Sequence, residues 1–134
     1  LERVQHRFTR LFEDLRGLEY SERLNALGLW SLEERRNRAD LIEVFKMAHG
    51  HTDVRLEEFF RLAESGSTRG HTLKLMKGHC RRDVRLHFFS NRVVNRWNKL
   101  PQEVVTASSV NAFENGLDRL RKHQMGFFMD PLSA

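Results

Sequence analysis

Ser31–Ala48, SLEERRNRADLIEVFKMA, carries the clearest helical signature in the chain and decides its fold class. Ser31 and Glu34 form the S-x-x-E pattern in which each side chain satisfies a backbone N–H at the start of a helix. Leu32, Ala39, Ile42, Phe45 and Ala48, widened by Leu41 and Val44, recur at steps of three and four and predict one buried face. Glu34 and Arg38 stand four apart on the outer side, where opposite charges pair on a solvated surface.

Toward the N-terminus, Leu1, Val4, Phe8, Leu11, Phe12 and Leu15 predict an amphipathic helix that turns this stripe to the core and stops near Gly17. Ser21 is placed to cap a second helix through Glu22, Arg23, Leu24 and Leu27, ended by Gly28, where a left-handed residue costs least. Toward the C-terminus, Gly50 to Asp53 reads as a loop. Asp53 then caps a fourth helix carrying Leu56, Phe59, Phe60 and Leu62, broken by Ser65 to Gly70.

Beyond the break the period changes to two. Leu73 and Leu75 alternate with Thr72 and Lys74, and Val84, Leu86 and Phe88 alternate with Arg85 and His87, predicting a β-hairpin over residues 72–88 that turns at Lys77 to His79. The same residues also suit an irregular basic loop leading into a helix. From Ser90 to Leu100, Val93, Val94, Trp97 and Leu100 gather on one side of a helix, and Pro101 forces Leu100 out of helical geometry.

A last helix starts near Ser108 or Ser109, with Val110, Phe113, Leu117 and Leu120 on its apolar face and Gly116 weakening its middle by about 1 kcal/mol relative to Ala. The tail, 124–134, contains the apolar GFFM together with Gly126 and Pro131. It either packs as an irregular strand or frays.

These segments describe a mainly α fold, a compact helical domain of about five to six helices with one small β-hairpin. One domain spans 1–134: a helical part at 1–66, a basic hairpin plus helix at 67–101, a C-terminal helix at 108–123 and the tail. The 134 residues suffice for one core, and 40% apolar against 31% charged residues is a globular rather than a disordered balance. No apolar run approaches the length of a bilayer span, so no membrane partner is expected. The single cysteine, Cys80, has no intrachain disulfide partner, which favours a reducing, intracellular setting in nucleus and cytoplasm. The chain opens at Leu1 already in helical register, as a segment of a longer protein would.

Charge is segregated along this chain. Ser67–Lys99 holds nine cations, Arg69, Lys74, Lys77, Arg81, Arg82, Arg85, Arg92, Arg96 and Lys99, against Asp83, so it carries 9 − 1 = +8. Elsewhere 23 − 9 = 14 basic residues face 18 − 1 = 17 acidic ones. Such concentration repels itself unless an anion lies alongside, and a phosphate backbone is the first candidate.

On a helical wheel Arg92, Arg96 and Lys99 fall within about 40° of one another, away from Val93, Trp97 and Leu100. Asn91, Asn95 and Asn98 extend the basic strip with amides suited to phosphate and sugar contacts. The plainer reading makes these cations a solvated face, or partners of acids on the third and fourth helices. Phe88 and Trp97 belong to the core by their positions, whereas Phe89 points the other way and is the best candidate for stacking on a base.

Catalytic and metal chemistry find little support in the spacing. His71, His79, Cys80 and His87 are zinc-ligand types but lack the paired short spacing that sets two ligands on one turn, so exposed neutral histidines and no cofactor are expected. No adjacent aspartates mark a two-metal polymerase site, and neither GxGxxG nor GxxxxGK[ST] occurs. Cys80 has no identifiable oxyanion site.

LGLWSLEERRNRADLIEVFK from Leu27 to Lys46, STRGHTLKL from Ser67 to Leu75 and RVVNRWNKLP from Arg92 to Pro101 follow in an order that resembles a known family. It is the region after the polymerase core in reverse transcriptases of non-long-terminal-repeat retrotransposons, chicken-repeat and jockey-like groups above all. The resemblance spans nearly the whole chain. It implies a parent protein with an endonuclease and an RNA-directed DNA polymerase, in which this segment supplies thumb-like or C-terminal helices that grip template, primer duplex or element RNA.

The family's polymerase aspartates have no counterpart here, and the lone Cys80 departs from the cysteine-histidine knuckle of some members. The expected function is therefore a non-catalytic domain that binds RNA or an RNA–DNA hybrid through the nine cations. The alternative is a module that docks on the rest of the reverse transcriptase, or on a host partner, through Phe127, Phe128 and the basic face.

Overall fold

Helical periodicity in the sequence emerges as six α-helices among the described residues: α1 (Glu2–Thr9), α2 (Tyr20–Leu27), α3 (Leu32–Ala48), α4 (Phe89–Asn98), α5 (Gln102–Val105) and α6 (Val110–His123). The structure is a computed structural model. It describes residues 1–64, 69–76, 89–124 and 126–129, with the backbone alone at 89–92. The fold is mainly helical, as the sequence predicts, and the chain divides into two compact units. One comprises Leu1–Asn37 with the described residues after Phe127, and the other Arg38–Phe127.

α3 begins where its capping box places it. The Ser31 hydroxyl accepts from Glu34 N–H at 3.1 Å and Glu34 Oε1 accepts from Ser31 N–H at 3.3 Å. On the outer side, Arg38 donates through Nε to Asp118 Oδ1 at 3.1 Å.

In the Arg38–Phe127 unit, α3 buries Leu41, Val44 and Phe45, α4 buries Val93, Val94 and Trp97, and α6 buries Phe113 and Leu117. The Phe45 and Phe113 rings stack at 4.3 Å between centroids and Trp97 tilts against Phe113 at 6.1 Å, a geometry that adds to plain area burial. Phe88 and the Phe89 side chain lie outside the described residues. After Pro101 the chain makes the short α5, which the sequence reading misses. Ser109 then caps α6 by accepting from Ala112 N–H at 3.1 Å. α5 and α6 pack closely because Gly116 has no side chain: a Cβ there would meet the two Val104 methyls at 3.2 and 3.3 Å.

The predicted fourth helix is only a 3-10 turn, Leu56–Glu58. Strand pairing takes the chain instead. Ala63 N–H donates to Lys74 O at 2.8 Å and Met76 N–H to Arg61 O at 2.7 Å, framing an antiparallel bridge between Leu62 and Leu75. Leu56 and Phe60 are buried while Phe59 and Leu62 face solvent. The predicted hairpin's turn and second arm lie outside the described residues. In its first arm, the backbone groups that Leu75 would offer a strand at 84–88 are both taken by the Asn98 side chain.

The N-terminal unit departs furthest from expectation. α1 stops at Thr9 rather than near Gly17, where the Thr9 hydroxyl bonds back to His6 O at 2.9 Å and also accepts from Arg23 Nε at 3.0 Å. Only a 3-10 turn, Glu13–Leu15, follows. α2 starts two residues earlier than predicted, with Glu19 rather than Ser21 at its cap and Glu22 accepting from Glu19 N–H at 3.0 Å. Gly28 ends it in the left-handed region, at φ 66°.

Polar groups occupy much of this unit's interior. Arg23 is buried and donates to Thr9, to Leu18 O at 2.5 Å and toward the His6 ring at 3.3 Å, with its guanidinium over Tyr20. Tyr20 donates its hydroxyl proton to Glu2 Oε1. Burial first, and then the Glu2 carboxylate, push its pKa up to about 12. The predicted apolar stripe of α1 is instead exposed, at Val4, Phe8, Leu11 and Phe12. The tail residues 126–129 form a turn, neither a strand nor a frayed end. Phe128 is fully buried against Trp30, and its carbonyl accepts from Asn37 Nδ2 at 2.6 Å, so its ring is not a surface for docking.

Candidate nucleic-acid interface

Segment 69–76 is held against the end of α4 by side-chain hydrogen bonds from the N-R-W-N-K-L-P-Q run. His71 Nδ1 accepts from Leu73 N–H at 3.1 Å, which leaves Nε2 as the protonated nitrogen that donates to Trp97 O at 2.9 Å. Trp97 Nε1 donates to Leu73 O at 2.8 Å. Asn98 pairs with both backbone groups of Leu75, and Gln102 with the backbone N–H and the hydroxyl of Thr72, at 2.8 and 3.1 Å. Residues 71–75 of STRGHTLKL are thus physically latched to Trp97 and Asn98 of RVVNRWNKLP.

His71 is buried, against the expectation of an exposed histidine. Removal from water lowers its pKa, the Trp97 carbonyl opposes that shift, and the nearby Lys74 charge adds to it. Asn98 likewise leaves the predicted surface strip, because both ends of its amide are consumed by Leu75.

Latching fixes part of the predicted cationic set. Arg69 and Lys99 are exposed, and Lys74 is half-buried with its ammonium donating to Arg69 O. The Lys74 chain lies across Gly70, where a φ of 118° favours glycine and a Cβ would fall 2.6 Å from Lys74 Cε, displacing the end of that side chain. The same Cβ position is 4.0 Å from Asn98 O, which sets Lys74 close to the start of Lys99. The backbone that carries Arg69 and Lys74 therefore lies beside the C-terminal end of α4, where Lys99 is exposed.

Arg96 is diverted. Its Nε donates to Phe127 O at 2.9 Å, so this guanidinium also anchors the start of the tail. Arg92 has its backbone in α4 and its side chain outside the description, while Lys77, Arg81, Arg82 and Arg85 lie outside the described residues altogether.

The chain matches no protein-family model, no curated protein and no solved structure.

A second cationic group was not singled out from the sequence. Arg119 and His123 border a cleft of about 420 Å³ between α5 and α6, together with Pro101, Glu103 and Leu120. Pro101 stands two residues after Lys99, which brings this cleft next to the latched edge. The run RLRKH from Arg119 to His123 was legible as a cationic helix end, but such residues are also what the macrodipole favours at a C-terminus. Glu103 supplies the opposite sign on the cleft wall.

Proposed function

We propose that this chain is a non-catalytic nucleic-acid-binding domain that holds RNA or an RNA–DNA hybrid by its backbone phosphates. The observation carrying this reading is the latch. Segment 69–76, which carries Arg69 and Lys74, is tied by Trp97, Asn98 and Gln102 to the helix end that carries Lys99, so the backbones presenting these cations need little ordering when a polyanion arrives. Lys77, Arg81, Arg82, Arg85 and Arg92 extend the same stretch in sequence. The family resemblance supports RNA or hybrid over duplex DNA and assigns the parent a reverse transcriptase of the non-long-terminal-repeat class, with this segment beyond its polymerase core.

The test is a titration against single-stranded RNA, single-stranded DNA, duplex DNA and hybrid at two salt concentrations. Affinity should fall steeply with salt, because each neutralised phosphate releases counterions. Arg69→Glu with Lys99→Glu, both at exposed side chains, should weaken binding at least about tenfold while the circular dichroism melt stays in place. Arg96→Glu is a poorer probe, since it also removes the bond to Phe127 O. Salt-independent binding, or none, sinks the proposal.

A further inference from the structure

α1 is an amphipathic helix mounted with its polar side inward. Glu2 accepts from Tyr20 and, through Oε2, from Leu32 N–H at 3.0 Å. Gln5 Nε2 donates to Trp30 O at 2.8 Å and Thr9 accepts from buried Arg23. These contacts fix the rotation of the helix and leave the opposite side outward.

That outward side is a continuous apolar stripe. Val4 is 68% exposed, Phe8 49%, Leu11 70% and Phe12 41%. The Phe8 and Phe12 rings meet edge to face at 5.6 Å, so the stripe runs on past the end of α1. Single exposed apolar side chains are ordinary, but a contiguous row of large ones marks an interaction surface. Taking Val4 as zero on a helical wheel, Phe8 lies at about +40°, Arg7 at about −60° and Arg3 at about −100°, with Arg10 and Leu11 in the turn that follows Thr9. All three arginines are exposed, and Glu2, the one acid of the helix, is turned inward. The stripe therefore has a purely cationic flank.

We propose that α1 is a docking helix for an acidic protein surface, an apolar groove bordered by carboxylates that takes Val4, Phe8, Leu11 and Phe12 and pairs with Arg3, Arg7 and Arg10. Helix-in-groove recognition uses anchors at this spacing. An anionic bilayer fits less well, because exposed Glu13 and Asp14 directly follow Phe12 and would meet the same surface, whereas a protein groove places its acids against the arginines alone. A second copy of the chain would bring the same three arginines and carry net repulsion.

The probe is a fluorescein-labelled 16-residue designed helical peptide with a leucine stripe flanked by glutamates, titrated against the full chain by anisotropy. Its controls are the same peptide with lysines replacing the glutamates, and vesicles of phosphatidylcholine containing phosphatidylserine. The glutamate peptide should bind at least about tenfold tighter than the lysine peptide, and Val4→Glu with Phe8→Glu should abolish that binding. Arg3→Glu with Arg7→Glu and Arg10→Glu should reverse the preference toward the lysine peptide, a gain that unfolding cannot mimic. Equal affinity for both peptides, binding of neither, vesicle binding in preference to peptide, or a dimer in sedimentation that Val4→Glu with Phe8→Glu dissolves would each overturn the proposal. Val4→Ser with Phe8→Ser, which leaves the net charge unchanged, should abolish peptide binding and leave nucleic-acid affinity in place, so the two proposals fail separately.

Discussion

Asn98 faces Leu75 as one strand residue faces another: its Oδ1 accepts from Leu75 N–H and its Nδ2 donates to Leu75 O, both at 2.8 Å. The neighbouring groups Lys74 O and Met76 N–H point the other way, to Ala63 and Arg61. Segment 74–76 is thereby closed on both edges, on one by backbone and on the other by a single amide side chain. Such closure removes the free edge that invites pairing with another chain.

Asn98→Ala should cost about 2 kcal/mol in urea denaturation, since it deletes two hydrogen bonds and leaves the Leu75 groups to find water. Asn98→Asp keeps the acceptor for Leu75 N–H but sets a carboxylate oxygen against Leu75 O, and should be no better than alanine. An unchanged denaturation midpoint in both variants would show that the latch does not hold segment 69–76.

Gly116→Ala sets two effects against each other. Alanine gains about 1 kcal/mol of helix propensity over glycine, but its Cβ would crowd Val104 at 3.2 and 3.3 Å, and overpacking typically costs about 1–3 kcal/mol. The single variant should be destabilised. In a Val104→Ala background, which opens the space, the same change should become stabilising relative to Val104→Ala alone. A double-mutant cycle with no coupling would disprove the close approach of α5 and α6.

His71 predicts an acid sensitivity. Its folded pKa lies below the unfolded value near 6.5 because burial disfavours the imidazolium, so between the two values the unfolded chain binds more protons than the folded one. The stability contributed by neutral His71 is fully present above pH about 6.5 and is lost as the pH falls from there toward the folded pKa. Melting temperature measured from pH 8 to pH 5 should drop in the wild type, and His71→Gln should flatten that drop.

Tyr20 gives the opposite dependence at the alkaline end. Its folded pKa of about 12 stands above the ordinary 10.0, so the contribution of the protonated phenol is intact below pH 10 and fades between 10 and 12. Tyr20→Phe should lower stability by about 1 kcal/mol at neutral pH through loss of the bond to Glu2 and should remove most of the alkaline sensitivity. Denaturation midpoints at pH 7, 10 and 11 separate the two effects.

The parts legible in the sequence are those where local signals agree with one another. Ser31 and Glu34 start α3, Val93, Val94, Trp97 and Leu100 are buried as their spacing predicts, and Ser109 caps α6. In each case the cap, the period and the apolar face point the same way, so local preference and tertiary packing do not compete. The candidate site was legible only as composition. Nine cations in one stretch could be counted, but not that Arg96 would tether Phe127 O or that Asn98 would spend its amide on Leu75.

By itself, then, the sequence determined a mainly helical chain, the extents of α3 and α6, and which residues share a face of α1, α3, α4 and α6. Only the tertiary structure decided which face turns inward. Period 3.6 places Val4, Phe8 and Leu11 together and Glu2, His6 and Thr9 together, but it is silent on which set a neighbour will cover. In α1, hydrogen bonds to Tyr20, Arg23, Trp30 and Leu32 settle that question in favour of the polar face. Likewise, alternation at Leu73 and Leu75 marks an extended segment without naming its partner. Long-range hydrogen bonds from residues 61–63 and from Asn98 chose it, because pairing depends on what the rest of the fold brings within reach.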